Sequence, residues 1–335
     1  MEHGQNRLGL RRLGQSELML SPLGLGCWQF SRGSGLVGRY WSNLDEGAIL
    51  DIVRASLAGG MNWVDTAEVY GGGKSEEAIA HALDKLRQEG SPHAEPAVAT
   101  KWWPMMRTAK SIPATIDERL RCLGGRQIDL YQIHQPYSFS SVASEMKAMA
   151  GLVKAGKIRY IGVSNFSAKQ MAEAHRQLAQ YGLKLISNQV KYNLLNRRIE
   201  QNGLMETAKE LDISIIAYSP LQQGVLTGRF HKDPAQIGKL SRIRRMQSGL
   251  DTAGLNQSRP LIEALGMLAE RYRVTLGQVA LNWLITYHGE TVVAIPGASK
   301  LRHAEENVGA MSFKLTPDEL ALLNDTSWAA VKPRT

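Results

Sequence analysis

Four residues at the ends of apolar runs carry the chemistry this sequence can do: Asp65, Tyr70, Lys101 and His134. Asp65 and Tyr70 stand five residues apart in Asn62-Trp63-Val64-Asp65-Thr66-Ala67-Glu68-Val69-Tyr70-Gly71. A phenol has a reference pKa near ~10 and exchanges its proton poorly at neutral pH, so a catalytic tyrosine calls for a nearby positive charge. Lys101 can supply that charge, and Asp65 can serve as the counter-ion that a buried ammonium requires. Lowering the phenol by two or three units takes roughly 3–4 kcal/mol, within reach of one close charge in a dry site. His134 could orient a substrate oxygen or share its proton. Singly, each has an ordinary reading: a structural histidine, a surface lysine, a loop cap, a rim aromatic. Only their convergence makes a site.

That convergence depends on the elements between them. Residues 8 to 26 read as a hairpin around Gly14 to Ser16 and then a small-residue strand at 23–26. Apolar periodicity then predicts helices over 46–59, 76–87, 113–124, 142–155, 168–181 and 203–211. Between them lie short apolar strands at 61–65, 97–100, 128–133, 158–163, 185–189 and 213–218. Ser75 reads as a helix cap, and Ser167 with Gln170 as a capping box. A long aperiodic segment, 222–258, precedes helices over 259–272 and 276–287 and a strand at 291–295; Thr316-Pro317-Asp318-Glu319 starts a last helix. Eight strands alternating with helices, with no Pro/Ser-rich linker, favour one closed (β/α)8 barrel domain spanning 1–335, the hairpin plugging its bottom and extra helices at its C-terminus. In a barrel, Asp65, Lys101, His134, Asn165, Gln189 and Tyr218, each at or just past a strand end, share one rim.

Composition excludes several classes. The 335 residues are 43% hydrophobic and 21% charged, as in soluble globular proteins. A net charge of +9 suits an anionic ligand but does not require one. Cys27 and Cys122 offer neither a disulfide framework nor a multi-cysteine metal pattern, so no metal is expected. No signal peptide is evident at Met1, and no apolar run is long enough for a membrane helix, so a cytoplasmic protein with no membrane partner is expected. The basic residues lack aromatic interleaving, which argues against a nucleic-acid partner.

Two nucleotide-binding spacings fail on context. Gly33-Ser34-Gly35-Leu36-Val37-Gly38 does not join a strand directly to a helix. Gly151 to Lys157 has Ile158 where a P-loop needs Ser or Thr, and it precedes a strand instead of following one.

Gly26-Cys27-Trp28, Asp65 through Gly71, Thr100-Lys101, Gln132-Ile133-His134, Gly162 through Phe166, Tyr218-Ser219-Pro220-Leu221 and Ile295-Pro296-Gly297 resemble, in the same order, motifs of the aldo-keto reductase superfamily. The resemblance covers nearly the whole chain. It implies a barrel that binds NADPH, with NADH a poorer fit, and reduces a small-molecule carbonyl, an aldehyde or ketone. Tyr70 would be the proton donor, Lys101 and Asp65 would tune the phenol, and His134 would position the carbonyl. By the same resemblance Ser164, Asn165 and Gln189 hold the carboxamide, Tyr218 stacks on the nicotinamide, and Gly26 and Trp28 line the cofactor site. Ser219, Leu221 and Gly224 face the pyrophosphate, with Lys239, Arg242, Arg244 and Arg245 available to phosphate oxygens. Gly297, Ser299, Lys300, Arg302, His303, Glu306 and Asn307 form the adenosine end, although many members carry a lysine where this chain has Gly297 and an arginine where it has His303.

For substrate, Trp28, Trp102 and Trp103 make an aromatic mouth, with Tyr40 and Trp41 in the 31–43 loop as a further wall and Trp63 as a core residue. Two other classes fit less well: an NADPH-binding regulatory subunit with slow turnover, and a lyase using Lys101 as a Schiff base. Nothing in these features specifies an oligomeric state.

Overall fold

The computed structural model describes residues 8–31, 33, 43–239 and 251–331. Strands β1 (Arg11–Arg12) and β2 (Met19–Leu20) form the antiparallel hairpin. The strands β3 (Leu25–Gly26), β4 (Trp63–Asp65), β5 (Ala97–Trp102), β6 (Ile128–Ile133), β7 (Ile158–Ser164), β8 (Leu185–Lys191), β9 (Ser214–Tyr218) and β10 (Val292–Ala294) each pair parallel with the next in sequence. Bridges Leu23↔Ala294 and Gly26↔Gly297 join the first of these to the last, so the sheet closes into the expected barrel.

Period-two alternation divides each strand between two cores. Trp63, Ala99, Leu130, Ile186, Ile216 and Val293 face inward, where Leu13, Leu18 and Leu20 of the hairpin join them as the bottom plug. Trp63 lies flat against Gly24, where an added Cβ would come within 2.2 Å of the indole, and it donates to Ser21 O at 3.0 Å. The opposite faces, with Val64, Val98, Tyr131 and Ile161, pack on the helices.

Those helices are α1 (Glu46–Ala58), α2 (Lys74–Gln88), α3 (Ser111–Cys122), α4 (Val142–Lys154), α5 (Ala168–Ala179) and α6 (Leu204–Glu210), all close to the expected spans. The capping boxes Ser167/Gln170 and Thr316/Glu319 form as the sequence suggests. Ser75 does not cap α2. Gly73 does, at φ 92°, and buried Ser75 instead donates to Cys27 O and accepts from Thr66. A left-handed residue ends the turn, and only glycine adopts that backbone without a Cβ clash.

The largest departure lies in 222–258. Its described part holds a 3-10 segment (Gln222–Thr227), the short α7 (Arg229–Lys232), a second 3-10 segment (Pro234–Lys239), and then α8 (Thr252–Tyr272), capped by Asp251. Helix α8 therefore starts before 259 and carries Pro260 inside it. Helix α9 (Leu276–Thr286) leads to β10, followed by α10 (Leu301–Gly309) and α11 (Pro317–Ala330); α8 and α11 pack together as the extra helices. Among the described residues, no helix is long and apolar enough to cross a membrane.

Leu13, fully buried, is the hairpin's main inward side chain. Leu13→Ala should cost about 2–5 kcal/mol, read as a lowered denaturation midpoint; an unchanged midpoint would show that the plug is not part of the cooperative core.

Candidate active site

A buried ion pair lies at the base of the rim. Lys101, on the inward face of β5, has its Nζ 2.5 Å from Asp65 Oδ1 and 2.7 Å from Thr66 O, and neither side chain of the pair is more than 1% exposed. The other Asp65 oxygen accepts from Gln132 Nε2 at 3.1 Å and Gln189 Nε2 at 2.8 Å. The carboxylate is thus saturated by donors from β5, β6 and β8. Gln132 was not expected at the site, although alternation in β6 places it on the same face as His134.

Tyr70 sits over this pair, its ring centroid 5.1 Å from Lys101 Nζ. Trp28 stacks on it at 6.1 Å, His134 meets it edge-on at 5.6 Å, and Trp103 meets His134 at 5.2 Å. Burial, reinforced by the Asp65 carboxylate, pushes the phenol well above its ordinary value, the reverse of the expected lowering. Desolvation is the largest cause, and the Asp65 carboxylate, paired with Lys101 beneath the ring, adds to it. Burial and the Lys101 charge hold His134 well below the usual imidazole range, which leaves it neutral, and its Nδ1 is buried without a partner among the described residues.

Trp102 does not reach this mouth. One residue beyond Lys101 on β5, it points outward, fully buried in the helix-facing core and donating to Ser111 Oγ at 3.1 Å. Trp103, in contrast, lines the cleft. Its backbone N–H donates to Glu68 Oε2, and Glu68 also binds Arg107.

One cleft of about 1430 Å³ joins Asp65, Tyr70 and His134 to Gly26, Trp28, Ser164, Asn165, Gln189, Tyr218, Ser219, Leu221 and Gly224, and on to Gly297, Ser299, Lys300, Arg302, His303, Glu306 and Asn307. Within it Ser164 Oγ donates to Gln189 O, while Tyr218 OH donates to Asn165 Oδ1 at 3.1 Å. Gln189 spends its amide N–H on Asp65.

The comparisons with known proteins agree with this geometry. The Aldo/keto reductase family model matches residues 22–327. The chain belongs to that family. An uncharacterized oxidoreductase of Mycobacterium tuberculosis is 36% identical over 315 residues, covering 92% of this chain and 90% of the relative. The chloroplastic pyridoxal reductase of Arabidopsis thaliana is 32% identical over 312 residues, 90% of this chain and 82% of the relative. Among solved structures, an aldo/keto reductase from Klebsiella pneumoniae in complex with NADP and acetate superposes with a TM-score of 0.72 at 25% identity, covering 98% of each chain.

In this aldo-keto reductase, strain concentrates where the cleft loops leave the strands. Asn165, Ser219, Gln222 and Gln223 all adopt positive φ, at 61°, 52°, 47° and 56°. Such backbones cost of order 1–3 kcal/mol each and persist only where the surroundings hold them. Asn193, fully buried and absent from the sequence-based set, does so for the β9 loop, donating to Ser219 O and Gln222 Oε1 at 2.9 and 3.1 Å.

At the far end His303 Nδ1 lies 3.3 Å from Ser299 Oγ, Asn307 donates to Gly297 O, and exposed Arg302 pairs with Glu306 at 3.5 Å. Burial, with Arg302, Lys300 and Arg229 adding positive charge, lowers the His303 imidazole despite Glu306. Arg229 also lines the cleft, a residue the sequence reading passed over. Its signal was the flanking pair Gly224 and Gly228, both at positive φ, the first of which leaves room for the guanidinium against the backbone. Tyr40, Trp41, the 34–38 glycine motif, Arg242, Arg244 and Arg245 lie outside the described residues, as does the side chain of Lys239.

A histidine held neutral in the fold binds fewer protons than it does unfolded, so its burial costs stability once pH falls below about 6.5, its ordinary value. The stability difference between wild type and His134→Asn should therefore shrink from pH 7.5 to about pH 5.5. Thermal melts at both pH values check this; a constant difference would mean that the imidazole titrates normally.

Proposed function

We propose that this chain is an NADPH-dependent reductase that converts an aldehyde or ketone to an alcohol, with Tyr70 as the acid. The observation that carries the reading is a buried tyrosine, lysine, aspartate and histidine cluster opening into a cleft that exceeds the roughly 300–1,000 Å³ of ordinary small-molecule pockets. Such a cleft has room for a dinucleotide and a substrate together. Its polar lining suits the same occupant: an amide- and hydroxyl-rich wall at Ser164, Asn165 and Gln189, and cationic residues with the N-terminus of α10 at the other end.

Bound there, the nicotinamide supplies the hydride for a substrate carbonyl carbon. The protein supplies everything else. Tyr70, held protonated by its surroundings, gives its proton to the carbonyl oxygen, and the adjacent Lys101 stabilises the phenolate left behind. Asp65, Gln132 and Gln189 fix that lysine in place. Neutral His134 can hydrogen-bond the same oxygen without competing to protonate it. Trp28 and Trp103 border the place where the carbonyl must lie, which favours substrates with an apolar body.

Ser299, Lys300 and Arg302 beside a helix N-terminus support a 2′-phosphate and hence NADPH over NADH. The pyridoxal reductase relative makes an aromatic aldehyde a sensible first substrate to assay.

With NADPH and a panel of aromatic and aliphatic aldehydes, the wild type should consume the reduced cofactor. Tyr70→Phe should keep cofactor affinity and lose about 10²–10⁴-fold in turnover, the usual worth of general acid catalysis. Full activity in that variant would remove Tyr70 from the mechanism, and tight NADPH binding with no turnover of any aldehyde by the wild type would favour a regulatory subunit.

A further inference from the structure

Gln29 carries a side-chain oxygen that no donor among the described residues meets. It belongs to the single 3-10 turn Trp28–Phe30 that follows β3, held on either side by fully buried Cys27 and Phe30. Its Oε1 is buried without a hydrogen-bond partner among the described residues, yet the residue lines the cleft. A buried carbonyl oxygen left without a donor is unfavourable, and native folds seldom keep one unless something else supplies the donor.

The amide lies directly on Gly297. A Cβ built at that glycine would fall 2.1 Å from Gln29 Nε2 and 2.4 Å from Oε1, so the two positions compete for one volume. This is also the seam where the barrel closes, with Gly26 bridged to Gly297 and Gly26 N–H donating to Pro296 O at 3.1 Å. Gly297 is thus small because Gln29 fills its space.

We infer that Gln29 is a cofactor-positioning residue whose Oε1 accepts a hydrogen bond from a ribose hydroxyl of the bound dinucleotide; this rests on the dinucleotide reading above. Position selects the partner. Gln29 stands between Trp28, which stacks on Tyr70 at the reaction end, and Gly297, which begins the adenosine end. A dinucleotide reaching both must pass it with its central portion. Between its two bases such a ligand offers hydrogen-bond donors only on the ribose hydroxyls, because its ionised phosphates only accept. The ribose on the nicotinamide side, the one next to Trp28, is identical in NADPH and NADH, so both feel the contact alike.

Fluorescence titration of NADPH and of NADH, with a thermal melt of each protein, tests this. Gln29→Met should raise the Kd of both dinucleotides by the same factor, about two- to twelvefold, the worth of one hydrogen bond, with an unchanged melting temperature. Gly297→Ala should displace the amide, lowering the melting temperature and weakening both cofactors. Adding Gln29→Ala to Gly297→Ala should restore the melting temperature without restoring affinity. Unchanged affinities in Gln29→Met, or a loss confined to NADPH, would overturn the assignment while leaving the dinucleotide reading intact. A wild type that binds neither dinucleotide would overturn both.

Discussion

The Lys101–Asp65 pair is the constraint to which the rest of this barrel answers. Taking both charges out of water costs several kcal/mol per ion, and the pair is tolerable only because every remaining polar valence of the carboxylate is met. Those donors come from three strands: Lys101 from β5, Gln132 from β6 and Gln189 from β8. A sheet that failed to curl could not bring β4 and β8 to the same carboxylate. The ion pair and the closed barrel therefore require one another, and loss of either partner would strand a charge at a cost of about 3–5 kcal/mol.

The same pair governs protonation around it. Burial dominates at the phenol, and Asp65, in contact with Lys101, adds to the upward shift. Tyr70 and His134 are both kept in their neutral forms. A phenol that holds its proton at rest is the state the proposed reduction calls for, with Lys101 placed beside it at 5.1 Å.

Above the pair, the cleft is assembled at places where ordinary backbone would not suffice. Left-handed residues at Asn165, Ser219, Gln222 and Gln223 turn the β7 and β9 loops toward the opening, and Asn193 holds the second of them. Paired glycines Gly26 and Gly297 let the barrel seam close tightly. Rigid loop geometry at one rim is what lets residues from distant parts of the chain meet one ligand.

Most of the architecture was legible from local pattern, because hydrophobic period and capping chemistry act within a few residues: the spans of α1 to α6, the capping boxes at Ser167 and Thr316, and the alternation of β with α all follow from it. Pattern failed where a residue has two local meanings. Ser75 suggested a cap and is a buried tie to Cys27, and the helix expected from 259 begins at Thr252, capped by Asp251. The sequence alone determined which residue types reach the rim, since a residue at a strand's end is placed by its strand. Tertiary structure decided how they act. The outward turn of Trp102, the direction of the Tyr70 shift, the recruitment of Gln132 and Asn193, and the seat of Gln29 on Gly297 depend on burial and on contacts between residues far apart in sequence. Desolvation and exclusion of volume are set by everything that surrounds a group, and no window of neighbouring residues contains that information.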